Sequence, residues 1–223
     1  MNMNETTLAV LKNFANINPN LVFDGSGIIR TVSESKALMA QAELETHPDR
    51  ELGIYDLSMF LSTLSLIDEP KIDFSSKYMT ISDQSGRSSL KYFYADVDLL
   101  TTVRKTITMP EVLVEFTLDE KTLGQIKHAA SALKQRTLSI TPADGALDLT
   151  VFEEDNKTSN TFTITVPGKY TKDNFKFVVL IDNLKLISGT YDVELGDKFI
   201  SHFTKQGTPN LQYWIALEKS SEH

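Results

Sequence analysis

Apolar residues recur along this chain with two periods, and the switches between them mark out most of its elements. Leu8, Leu11 and Ala15 at helical spacing predict a first helix over Glu5–Ala15, with Lys12 beside the stripe and Asn13 and Asn16 on the open face. Alternation then predicts strands near 20–23, 28–32 and 37–44, with "DGSG" as a hairpin signal between the first two. "ELGIY" reads as a strand and "DLSMFLSTLSLI", Asp56 to Ile67, as a helix. Strands near 71–74, 78–83 and 88–94 follow, and Ala95 to Pro110 then shows neither period. After it, "EVLVEFTL" is strand-like and Asp119 is a ready N-cap for a helix to about Leu133. Leu123, Ile126, Ala130 and Leu133 form the inward stripe of that helix. Lys121, Gly124, Gln125, His128, Ser131 and Gln135 fall on the outward face, with Lys127 and Lys134 at the border. Strands near 136–141, 146–152 and 160–166 come next, with turns at "PADG" and "EEDNKTSN". "FKFVVLI" then predicts a strand, "DNLKLIS" a short helix, and 190–196, 198–204 and 211–218 three more strands. The expectation is an α+β chain of two similar domains, 1–95 and 111–223, joined by a connector over 96–110. Each domain holds two β-α-β-β-β units, and the helices gather on one face of the sheets.

Composition narrows the function. Thirty Asp and Glu stand against 22 Lys and Arg, a formal net charge of −8, which argues against generic attraction to DNA. Yet "KTLGQIKHAASALKQR", Lys121 to Arg136, has three lysines, one arginine and one histidine and no carboxylate, and none occurs between Thr6 and Phe23 either. Any nucleic-acid contact must therefore come from a local basic surface. The chain has no cysteine, which removes disulfides, zinc thiolates and cysteine nucleophiles. No apolar run of about 18 residues is present and the N-terminus lacks a basic leader, so neither a membrane span nor secretion is expected, and the sequons at Asn4 and Asn156 are expected to be idle. His47, His128, His202 and His223 are scattered without metal-ligand spacing. "FEEDNK" places its carboxylates in a turn, and "GSG" at 25–27 precedes a strand rather than a helix. No Walker A or GxSxG motif occurs, so no catalytic residue, metal or cofactor is expected.

Three motifs give the chain a family resemblance: "LKNFANIN" (Leu11 to Asn18), "IYDLSMFLSTLSLID" (Ile54 to Asp68) and the closing "YWIALE" (Tyr213 to Glu218). With them it resembles the replication sliding clamps of T-even-like phages, over nearly its whole length. The resemblance implies a DNA-clamp fold in a ring of three identical subunits, sheets outside and helices lining a hole that holds duplex DNA. It implies a DNA polymerase and an ATP-dependent clamp loader as partners, no membrane, and work in the cytoplasm of an infected bacterial host. Viral replication is the implied task, with late transcription as a further use. The candidate DNA-channel residues are Lys12, Lys121, Lys127, His128, Lys134, Arg136 and Lys185. In the family the long helix of the second domain carries arginines where this chain has His128 and Ser131. Leu99, Leu100 and Val103 in the connector, with Trp214, are the candidate partner-binding residues; Trp214 also reads as core. The competing expectation is an enzyme, or a β-rich virion or protein-interaction module without catalysis.

Overall fold

The computed structural model describes residues 3–103, 107–156, 158–208 and 210–223. The chain divides into two compact units, Met1–Lys105 and Thr106–His223. Of the segment between the two sets of elements, 104–106 lie outside the described residues, as does Lys157 of the "EEDNKTSN" turn.

The first unit opens with α1 (Glu5–Ala15), whose N-cap Asn4 accepts a hydrogen bond from the Thr7 N–H at 2.7 Å. Next come β1 (Leu21–Asp24), β2 (Ile28–Val32), β3 (Leu38–Glu43) and β4 (Glu51–Ile54). They are followed by α2 (Leu57–Leu64), β5 (Lys71–Phe74), β6 (Tyr78–Ser82) and β7 (Ser89–Phe93). β1 pairs with β4, β2 with β3, and β5, β6 and β7 form a meander, all antiparallel. The buried stripe of α1 is Thr7, Val10, Leu11 and Phe14, rotated from the expected Leu8, Leu11 and Ala15, which places the larger Phe14 inward. It packs with Leu57, Phe60 and Leu64 of α2. α2 stops at Leu64, three residues short of Ile67. Ser65 turns its hydroxyl back to the Ser62 carbonyl, and Glu69 then takes a left-handed φ of 47° ahead of Pro70.

The second unit contains β8 (Val112–Leu118), α3 (Glu120–Leu133), β9 (Thr137–Ala143), β10 (Ala146–Phe152) and β11 (Phe162–Tyr170). β12 (Phe177–Leu180), β13 (Tyr191–Gly196), β14 (Ile200–Lys205) and β15 (Gln212–Ala216) complete it. Its strands run antiparallel in the order β12-β9-β10-β11-β8-β13-β14-β15. β11 is longer than the predicted 160–166 because it changes partner. It pairs with β10 up to Pro167 and with β8 from Gly168 to Tyr170. Proline is tolerated in a strand where a ladder ends, and that is where Pro167 sits.

The short helix expected over 182–188 is absent. Ile181–Asn183 form one 3-10 turn, and the chain then runs extended with Leu184 and Leu186 buried on either side of exposed Lys185. Burial here has a period of two, which a helix cannot supply. Two buried tyrosines hold the segment: the Tyr191 hydroxyl donates to the Ile187 carbonyl, and the Ile187 N–H donates to the Tyr213 hydroxyl at 3.4 Å. Burial pushes the pKa of both phenols far above the ordinary tyrosine value. The second strand-helix-three-strand unit of this half thus keeps its strands and replaces its helix with a strapped extended segment. Among the described residues, no helix is long and apolar enough to cross a membrane, and no group of three or more His, Asp or Glu could hold a metal ion.

Candidate nucleic-acid interface

The basic segment is built around α3. Asp119 caps its N-terminus, accepting from the Thr122 N–H at 2.7 Å, and that bond holds the carboxyl below its ordinary pKa. Thr122, Leu123, Ile126, Ala129 and Ala130 face inward, while Leu133 is only half-buried. Lys121, His128, Ser131 and Lys134 are exposed, and Lys127 is half-buried as its border position predicts. Partial desolvation lowers the Lys127 amine pKa. Replacing Asp119 with alanine is expected to cost about 1 kcal/mol, read as a fall of a few degrees in melting temperature. Because the folded pKa of Asp119 is depressed, its stabilisation is present above the unfolded value and is lost as pH falls through the folded one. The melting difference between Asp119→Ala and the parent should therefore close only in strong acid.

The helix ends on Lys134, whose backbone conformation spacing does not predict. Lys134 has a φ of 56°, in the left-handed region usually taken by glycine, and its N–H caps the Ala130 and Ser131 carbonyls. That turn sends Gln135 inward, correcting its expected outward position. Gln135 is 7% exposed and its side-chain amide donates to the Asn160 carbonyl. Its Oε1 atom is buried without a hydrogen-bond partner among the described residues. The Arg136 carbonyl accepts from the Ile181 N–H at 2.8 Å, which fixes the 3-10 turn beside the helix end. Lys127, Ser131, Lys134, Gln135, Arg136 and Asp182 consequently line one groove of about 380 Å³. Among the described residues no ion pair involves Lys121, Lys127, Lys134 or Arg136. A left-handed lysine is strained by roughly 1–2 kcal/mol. Lys134→Gly should accordingly raise stability by about 0.5–1 kcal/mol after glycine's extra chain entropy, while removing a cation from the groove. Unchanged or lower stability on denaturant titration would contradict this account of the helix end.

The other expected cations lie elsewhere. Lys12 is exposed in the last turn of α1, in the first unit. Lys185 is exposed on the strapped extended segment rather than on a helix.

The partner-binding candidates separate by burial. Leu99 is 81% exposed, whereas Leu100 is 8% exposed and packs over Gly53, where an added Cβ would lie 2.6 Å from its Cδ1. A bridge between Gly53 and Ala95 holds the start of this segment, and Asn20 accepts from the Thr101 N–H at 3.0 Å. Val103 is half-buried and lines a cleft of about 200 Å³ with Asp24, Arg30 and Glu51. Trp214 is 3% exposed and stacks on His202, with ring centroids 4.8 Å apart. It ends a row of facing residues across five strands, Lys169, Glu115, Glu194, His202 and Trp214. Glu115 and Glu194 oppose each other there, a destabilising like-charge pair. The 2.8 Å contact from Glu194 to the His202 ring and the cross-strand position of Lys169 offset it. Phe93 was not singled out from sequence. It is 67% exposed on β7, out of phase with buried Tyr92, and an apolar residue on the polar phase of a strand was the available signal.

Comparison with known proteins bears on this arrangement. A sequence model of the family described as DNA polymerase processivity factor matches residues 2–109. The chain is 30% identical over 223 residues to the sliding clamp of Vibrio phage KVP40, covering 98% of this chain and 99% of that one. It is 29% identical over 230 residues to the sliding clamp of Escherichia phage RB69, covering 100% and 99%. Among solved structures, a chain of the PCNA2–PCNA3 complex from Sulfolobus tokodaii superposes with a TM-score of 0.68 over 95% of both chains. At 11% identity that likeness is one of fold.

Proposed function

Because the chain belongs to the sliding-clamp family of DNA polymerase processivity factors, we propose that three copies close head to tail into a ring around duplex DNA. As a sliding clamp it serves phage DNA replication by keeping the polymerase on its template. The observation that carries the DNA reading is the basic face of α3, without ion pairs among the described residues, in a chain of formal net charge −8. Lysine and arginine on phosphates read no sequence, and weak, dispersed contacts allow movement along the duplex. A topological link then supplies retention, so mild local charge suffices. Acidic residues elsewhere keep DNA from adhering to other surfaces.

Strand edges left unpaired among the described residues support head-to-tail closure. β7 is the edge of the meander in the first unit, and over Phe162–Pro167 β11 pairs with β10 alone in the second. Exposed edges are a liability unless something covers them, and joining one edge of each kind generates a heterologous, closable contact. A closed ring needs an ATP-driven loader to open it. The connector around Leu99 offers the polymerase an apolar anchor. These roles require no chemistry from the clamp itself, and they belong in the cytoplasm of the infected host. The relatives favour this replication role over a virion or interaction module.

The test joins mass to topology. Light scattering should return three times the 25.0 kDa chain mass at micromolar concentration. Protein loaded onto circular duplex should stay far longer than on linear duplex with free ends. Equal residence on both would overturn the encircling reading, and an exclusively monomeric species would overturn the trimer.

A further inference from the structure

We infer that residues 218–223, which follow β15, guard the outer edge of β12 and keep a second copy of this chain from adding a strand there. The guard is independent of the ring, because it acts within the second unit of a protomer in any assembly state.

The hazard lies in the sequence of β12. "FKFVVLI", Phe175 to Ile181, joins high β-propensity to a single charge and holds no proline or glycine. Segments of that length and composition stack on copies of themselves when an edge is open. β12 ends the strand order of the second unit, and among the described residues β9 is the one named strand it pairs with. On its other side the backbone groups of Lys176 and Val178 point away from β9.

Residues 218–223 take up all of those groups. Lys176 and Glu222 exchange two bonds, N–H to carbonyl in each direction, both at 2.9 Å. The Val178 carbonyl accepts from the Glu218 N–H at 2.7 Å, and the Val178 N–H donates to the Ser221 hydroxyl at 2.9 Å. A side-chain oxygen, not a second ladder, therefore meets the middle of the strand. A regular strand in this place would move the open edge outward by one position without closing it. The segment turns instead: the Ser221 N–H donates to the Glu218 carbonyl at 3.0 Å and is not offered to another chain. Ser221 is buried, and the His223 ring holds the far end. It stacks on Phe177 with centroids 5.9 Å apart and meets Phe199 edge-on at 5.1 Å. The edges of β7 and of β11 over Phe162–Pro167 have no second strand among the described residues. Of these apolar edges, the one most prone to stack on itself is the one that is covered.

The experiment opens the guard in the full-length chain. Ser221→Ala/Glu222→Pro removes the acceptor of the Val178 N–H and the donor to the Lys176 carbonyl. Hydrogen exchange at the Lys176 and Val178 amides should quicken by roughly tenfold or more. Light scattering should match the parent mass in dilute solution and rise to about double or more on concentration, as β12 edges pair about a two-fold axis. Removing 218–223 altogether should give the same association more strongly. Ser221→Ala alone, read by the same two measurements, serves if either variant is poorly folded. Adding Lys176→Pro should return the mass to that of the parent, because proline removes an outward N–H just before β12 and blocks strand addition. Quickened exchange at both amides with an unchanged mass overturns the guard, and so does association that Lys176→Pro leaves in place. Unchanged protection of both amides after removal of 218–223 overturns the cover itself. The parent mass serves as reference whatever its value, so failure of the ring reading leaves this test intact.

Discussion

Phe93→Asp is expected to leave the chain folded and to reduce the ring to monomers. Phe93 is 67% exposed on β7 and contacts Tyr78 with ring centroids 5.5 Å apart, so its loss removes little from the fold of a single chain. If β7 joins a second copy, the same ring is worth about 1.5–3 kcal/mol per interface when buried. An aspartate replaces that gain with a charge to be desolvated, and charge on an edge strand is a common block to strand addition. A loss of about 3 kcal/mol weakens each contact more than a hundredfold, and a ring closed by such contacts opens. Light scattering should return the 25.0 kDa monomer with an unchanged melting profile, and stimulation of polymerase on long templates should disappear. A persistent species of three times that mass would show that β7 is not the joining edge.

Leu100→Asp and Leu99→Asp should have opposite consequences, although the two residues are neighbours in a segment without periodicity. Leu100 is 8% exposed against Gly53, so an aspartate there loses a packed side chain and buries a carboxylate. The expected cost is about 3–5 kcal/mol, with a melting temperature lower by about 15 °C or more for a unit of this size. Leu99 is 81% exposed, and the same change should move stability by no more than about 0.5 kcal/mol. If the connector anchors the polymerase, Leu99→Asp abolishes its stimulation while trimer and melting profile survive. Stimulation that persists in Leu99→Asp places the polymerase contact elsewhere. A paired charge at Leu100 and Val103 would confuse the two effects, because Leu100 is buried against Gly53.

Much of this chain was legible because local chemistry decides it. Asn4 and Asp119 are side-chain caps placed where the helical period begins, and α1 spans Glu5–Ala15 and α3 Glu120–Leu133 as their patterns predict. The hairpin strands alternate between turns marked by glycine, asparagine and aspartate. The family was readable in the motifs around Leu11, Ile54 and Tyr213, and the local excess of lysine in the acid-free run from Lys121 to Arg136. Tertiary structure alone decided other features, each time because a distant partner overrode local preference. Residues 182–188 hold enough helix formers to suggest a helix, yet the Tyr191 and Tyr213 hydroxyls strap them into an extended path. Lys134 carries no mark of a left-handed cap, so neither the inward turn of Gln135 nor the groove it completes could be read from spacing. Pro167 reads as the end of a strand until β8 arrives to pair beyond it. Leu99, Leu100 and Trp214 are equally apolar in sequence, and only the position of Gly53 under Leu100 and of His202 against Trp214 separates the buried from the exposed. Caps, turns and periods act over a few residues, whereas burial depends on which distant backbone comes to rest against a side chain.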